Sequence, residues 1–196
     1  MKKGRVAKRT SNEATVYYWV AISPVGRLLL VGGAKGLLAL QFQDGAHPLD
    51  IQPSWKKARE PFRAVLEQLR EYFGGSRKRF QIALKLQGTP FQRQVWQALQ
   101  RIPYGRTVSY GEVAQQMGSP QASRAVGAAN GQNPVSIIVP CHRVIGANGK
   151  LVGYGGGLPI KAALLALEQR ETGQKPLSID RQRLASNRRP PVSSKV

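Results

Sequence analysis

The hydrophobic pattern of this 196-residue chain changes character near Gln87. Upstream, apolar residues alternate with polar ones or gather in short runs around one helical stripe at 62–73. Downstream, they recur at helical spacing. Side chains alternate faces along a strand but return to one face every third or fourth residue of a helix, so the change of period is a change of element type. A uniform all-helical or all-sheet fold is excluded. The pattern predicts an α+β chain of two successive units, and the length suffices for two small cores.

The first unit is expected over 15–86. Thr15 to Ala21 (TVYYWVA) reads as a strand, and Arg27–Val31 with Leu37–Phe42 as a hairpin across a Gly-rich turn. Phe62, Val65, Leu66, Leu69, Tyr72 and Phe73 form one helical stripe, stopped by Gly74-Gly75. Phe80, Ile82, Leu84 and Leu86 alternate like a half-buried strand. The unit carries no obvious chemistry.

The second unit is expected over 87–172. Thr89-Pro90-Phe91-Gln92 is a capping box with proline at the first helical position, followed by Phe91, Val95, Leu99 and Ile102 on one face. Ser109-Tyr110-Gly111-Glu112 opens a second helix that Gly118 ends, and Ser119-Pro120 starts a third, through about Ala129. Two short helices at a tight, glycine-containing joint read as a helix-turn-helix. The second of them is lean: beyond Val126 it offers Ala122, Ala125, Gly127, Ala128 and Ala129, with Arg124 as its one long side chain. Such a helix lets backbone approach a duplex but has little with which to read base edges.

Charge points the same way. Thirty Lys and Arg stand against ten Asp and Glu, a formal net of +20. Residues 1–14 and 173–196, rich in basic, Ser, Asn and Pro residues, read as disordered basic tails, yet residues 15–171 alone keep about +11. A polyanion is the natural partner, through counterion release. No apolar run approaches the roughly 20 residues of a membrane-spanning helix, and an intracellular, cytoplasmic protein is expected.

There is one cysteine and there are two histidines, His47 and His142, too few for an internal disulfide or an ordinary zinc site. Ser136 to Val139 (SIIV) reads as a buried strand that delivers Pro140-Cys141-His142-Arg143-Val144 at its end. Lone cysteines are commonly inert small hydrophobes. Here a proton acceptor and a cation follow the sulfur directly, and either favours the thiolate that a nucleophile needs.

These residues give the sequence a family resemblance. Ser109 to Ala114 with Tyr110, Arg124 to Gly127, Asn133-Pro134-Val135, Pro140 to Val144, Gly153 to Leu158, and a final helix with Lys161 and Glu168 occur in that order, within a match of about 85 residues from Gln87 to Glu171. The chain resembles the O6-alkylguanine-DNA alkyltransferases, the methylated-DNA–protein-cysteine methyltransferases. The resemblance implies a small N-terminal RNase H-like α/β domain followed by a mostly helical, winged helix-turn-helix-like domain that carries the active site. It implies direct-reversal repair: the alkyl group of O6-alkylguanine, and of O4-alkylthymine, moves from a flipped-out base in double-stranded DNA irreversibly to the protein's own sulfur.

The same resemblance implies the residue roles. Cys141 is the nucleophile, His142 its base through a water, and Glu168 the group that holds His142. Asn133 braces the turn before the cysteine. Tyr110 meets the base and the adjoining phosphate. Arg124 fills the place the base leaves, with Ala125, Gly127, Ala129 and Gly131 along the DNA face. Val144, Tyr154, Gly155, Gly156 and Lys161 line the substrate pocket. No cofactor, no metal and no obligate protein partner is implied. Two other readings compete: a pure DNA-binding protein, which leaves Cys141, His142 and Glu168 without purpose, and a cysteine hydrolase, whose Cys–His pair normally comes from distant segments.

Overall fold

The computed structural model describes residues 15–45 and 48–172; the two basic tails and His47 lie outside the described residues. The architecture is α+β. Strands β1 (Tyr17–Ser23), β2 (Gly26–Gly33), β3 (Gly36–Phe42) and the short β4 (Lys56–Lys57) form a sheet of order β3-β2-β1-β4, antiparallel except for the β1–β4 pair. Along β2 the residues alternate faces as a strand requires. Leu28 and Leu30 enter the main core under helix α1 (Arg63–Phe73), while Leu29 and Val31 join a smaller cluster on the other face.

Phe80 to Leu86 keeps the alternating burial that its sequence predicts, but it is not a regular strand. It touches β3 through one bridge, Leu37 to Leu84, with Leu37 N–H on Ala83 O at 2.8 Å and Lys85 N–H on Leu37 O at 2.9 Å. The rest of the β3 edge is taken by the second unit, so no length of edge remains for a full fifth strand. Leu40 N–H donates to Pro134 O and Ser136 N–H to Leu40 O, both at 2.9 Å, and Gln41 Nε2 donates to Asn133 O at 2.8 Å. The sheet thus holds the segment that leads to Cys141.

The helical half contains α2 (Pro90–Gln100), α3 (Tyr110–Gln116), α4 (Ser123–Gly131) and α5 (Leu158–Thr172). Both expected capping boxes form, at Thr89/Gln92 and at Ser109/Glu112. A 3-10 turn over Pro120–Ala122 precedes α4, which packs on α2 and α3. Two-residue strands β5 (Val108–Ser109) and β6 (Val144–Ile145) pair in parallel and tie the start of α3 to the residues after Cys141. One continuous core joins both halves, from Leu28 and Tyr72 to Trp96, Val126, Val139 and Leu164. Among the described residues no helix is long and apolar enough to cross a membrane.

Candidate active site

The strand expected over Ser136–Val139 is instead a tight buried turn. Ile137 has φ of 70°, and the Ile138 N–H bonds back to Ser136 O at 2.8 Å, closing a three-residue turn about it. A β-branched residue with positive φ is strained and persists only where its surroundings impose it. Asn133 imposes it: Oδ1 accepts from Val135 N–H at 3.0 Å while Nδ2 donates to Val139 O at 2.8 Å, so one side chain pins both ends of the turn. Three apolar residues after Ser136 read as a strand by type, but the bonds that fold the segment come from Asn133 and from the β3 edge.

The turn hands the chain to a 3-10 turn, Cys141–Arg143, all three residues buried. Asn133 Nδ2 also donates to Cys141 Sγ at 3.0 Å. Burial pushes the Cys141 thiol's pKa up, against the pull of the Asn133 bond and of the Lys161 charge. The resting sulfur is therefore a neutral thiol at pH 7. Arg143, which the sequence offered as an activating cation, turns away to other partners.

Those partners centre on Glu168, fully buried on α5. His142 Nε2 lies 2.8 Å from its Oε1, and the Arg143 guanidinium grips both oxygens, Nε to Oε2 at 2.8 Å and Nη2 to Oε1 at 2.9 Å. Gly105 N–H donates to Oε2 at 2.9 Å and the Tyr72 hydroxyl to Oε1 at 2.8 Å. Burial alone would raise the Glu168 pKa, yet His142 and then Arg143 hold it well below the ordinary carboxylate range. Burial is also the main force on His142, and it lowers that pKa, so the ring is neutral at pH 7. An ionised carboxylate only accepts, hence Nε2 carries the proton. The other nitrogen, Nδ1, is buried without a hydrogen-bond partner among the described residues and holds a free lone pair. A carboxylate thus fixes an imidazole as a base, next in sequence to a thiol.

Around this centre the other expected residues divide. Tyr110 starts α3 half-buried, its pKa raised by burial and then by the nearby Cys141. A Cβ on Gly127 would stand 3.7 Å from the Tyr110 ring, which places α4 against that tyrosine. Tyr154 packs edge-on to His142 at 6.5 Å, with a buried hydroxyl that has no partner among the described residues. Gly156 lies under Phe42 of β3, where a Cβ would come within 2.8 Å of the phenyl ring, and Gly155 is exposed beside it. Lys161 is fully buried and ties the loop before α5 to β6: Nζ donates to Val144 O and Val152 O at 2.7 Å and to Gly153 O at 3.3 Å. Burial lowers its pKa to about 8. It clamps the loop before α5, and the Val144 carbonyl is one of the groups it holds.

On α4, Arg124 and Ala125 are exposed, as is Gly131 at its end. Ala129 corrects the expected DNA face. Its side chain is 2% exposed, and its carbonyl accepts the Trp96 indole N–H at 2.9 Å. Core packing between α2 and α4 requires that small residue, so it presents nothing outward.

The chain matches the family described as "6-O-methylguanine DNA methyltransferase, DNA binding domain" over residues 90–170, and "6-O-methylguanine DNA methyltransferase, ribonuclease-like domain" over 16–86. It belongs to the 6-O-methylguanine DNA methyltransferase family. A methylated-DNA–protein-cysteine methyltransferase of Methanosarcina acetivorans is 52% identical, over 78% of this chain and 98% of the relative. The Mycobacterium tuberculosis O6-methylguanine methyltransferase has a crystal structure with a TM-score of 0.73 at 49% identity, covering 80% of this chain and 94% of that one. A structure of the M. tuberculosis protein in complex with DNA gives a TM-score of 0.74 at 48% identity, covering 79% and 94%.

Within this family member, two buried site residues were missed from the sequence. Arg143 was visible only as a charge beside the cysteine. Tyr72 sat in a stripe assigned to the core, and its signal was chemical: a tyrosine on a fully buried stripe needs a partner for its hydroxyl.

Proposed function

We propose that this protein repairs alkylated DNA by direct reversal, moving the alkyl group of O6-alkylguanine, and of O4-alkylthymine, onto Cys141. The observation that carries the reading is the buried relay of Glu168, neutral His142 and the Cys141 thiol, on a chain that belongs to a DNA methyltransferase family. His142 takes the thiol proton at Nδ1, a water carrying it between them. The sulfur attacks the alkyl carbon, an S–C bond forms, and the C–O6 bond breaks. Guanine leaves with the bonding pair, the Tyr110 hydroxyl donates a hydrogen bond to the developing charge, and the proton held on His142 passes through water to the leaving base. Asn133 keeps the sulfur aimed. A thioether is a poor alkyl donor, so the sulfur is not regenerated and each chain acts once.

The alkyl carbon inside a base stack cannot meet a buried sulfur in line, so the base leaves the duplex for the pocket bounded by Tyr154, Gly155 and Gly156. Lys161 holds that wall through the loop it clamps. Double-stranded DNA docks on α4, whose exposed Ala125 and small Gly127 admit the backbone closely. Arg124 enters the stack in place of the base. The protein works in the cytoplasm, alongside the DNA it repairs.

Incubation with an oligonucleotide containing O6-methylguanine, followed by intact-protein and peptide mass spectrometry, tests the reading. One methyl group per chain, on the Cys141 peptide, is expected. Transfer that persists in Cys141→Ala, or many turnovers per chain, overturns it.

A further inference from the structure

The ribonuclease-like half stands apart from the chemistry in sequence, yet one of its side chains reaches the relay. Tyr72, on α1, is fully buried, and its hydroxyl lies 2.8 Å from Glu168 Oε1, the oxygen that also accepts from His142 Nε2 at 2.8 Å and Arg143 Nη2 at 2.9 Å. Aromatic neighbours fix the ring: Phe73 at 5.3 Å, Phe80 at 5.4 Å and Tyr104 at 6.0 Å between centroids. We propose that Tyr72 is a positioning residue of the alkyl-transfer site, through which the N-terminal half sets the base strength of His142. The inference rests on the relay function proposed above.

The physical reason lies in the sharing of one oxygen. Each donor on Oε1 draws off part of its negative charge and weakens its hold on an imidazolium formed at His142. Burial keeps the Tyr72 phenol neutral to high pH, so it acts only as a donor. Removing that hydroxyl leaves a more basic carboxylate, favours protonated His142 and raises the pH at which the ring becomes a base. Other groups face the pair from every side. They are Arg143 and Cys141 on its own turn, Lys161 on α5, Tyr154 from the loop before α5, and Tyr104 and the Gly105 N–H after α2. Tyr72 is the donor that α1 contributes to the Glu168 carboxylate, so the N-terminal half reaches the titration of His142 through this hydroxyl.

The sequence holds two histidines, which makes the test direct. In full-length protein labelled with 15N-histidine and carrying His47→Ala, the remaining imidazole signal is followed against pH. Tyr72→Phe is expected to move the His142 titration up by roughly half a unit to one unit. The acid limb of the transfer rate to free O6-benzylguanine should move with it, leaving rates above pH 8 close to the parent. Replacing Tyr72 with 3-fluorotyrosine, a stronger donor of nearly the same shape, should move the titration down. Tyr104→Phe, whose hydroxyl has no partner among the described residues, should move nothing.

An unmoved titration in the fluorotyrosine protein overturns the proposal, as does a Tyr104→Phe shift equal to that of Tyr72→Phe. Should Tyr72→Phe not fold, the fluorotyrosine arm decides alone. Parent protein that transfers no alkyl group would instead defeat the functional reading, and the NMR arms would still report on Tyr72.

Discussion

The Glu168 relay and the outer face of α4 are built on opposite terms. Around Glu168, five donors from three segments converge on one carboxylate, and every side chain involved is buried. On α4, the outward positions Ala125, Ala128 and Gly131 are exposed and nearly bare, with Arg124 as the one long projection. Proton transfer needs groups held within tenths of an ångström, which demands redundant bonds. Docking on a duplex regardless of sequence needs the reverse, a surface with little to clash. The contrast teaches that mutations on the two sides should fail differently: inside, chemistry and stability fall together; outside, only the engagement of the duplex suffers.

The hardest test is Cys141→Ala, which should abolish transfer to any substrate while leaving DNA binding in place. Mass spectrometry and a gel-shift titration read the two halves. Next is Glu168→Gln. It strands the Arg143 guanidinium, so a stability loss of about 3–5 kcal/mol is expected in denaturant melts. Transfer should fall about 10²- to 10⁴-fold, the usual weight of a positioned acid or base. The pH dependence has a definite sign. The folded Glu168 pKa lies below its ordinary 4.5, so the carboxylate's contribution is complete above that value and is lost as pH falls toward the folded one. Glu168→Gln should flatten the parent's acid destabilisation; an equally steep acid limb in both proteins would count against the relay.

On the outer face the expected effects are smaller and selective. Arg124→Ala should slow repair of duplex DNA roughly ten- to a hundredfold, as a few kcal/mol of unstacking loses its substitute, while reaction with free O6-benzylguanine stays near the parent. Equal losses on both substrates would erase the contrast. The smallest effect is at the seam between the halves. Gly156→Ala sets a methyl within 2.8 Å of the Phe42 ring and should slow transfer several-fold by displacing the pocket wall. Phe42→Leu, combined with it, should restore most of the loss in single-turnover assays.

Much of this was legible in the sequence because periodicity and capping are local. The hairpin, α1, both capping boxes and the lean helix follow from residue types at fixed spacing. Cys141, His142 and Glu168 came from ordered motifs, and the structure brings His142 and Glu168 to hydrogen-bonding distance. What stayed hidden was set by tertiary contact. The Ile137 turn looked like a strand because nothing local announces that Asn133 will bond both its ends. Tyr72 and Arg143 looked like core and charge because their shared partner is far along the chain. Ala129 looked like surface, although Trp96 claims its carbonyl.

One feature of Cys141 bears on time rather than on rate. The thiol is 4% exposed and is held un-ionised by burial. Oxidants and other thiols attack the accessible thiolate, and this sulfur presents neither accessibility nor charge. If each chain reacts once, as proposed, burial is what keeps its one sulfur intact until it is used.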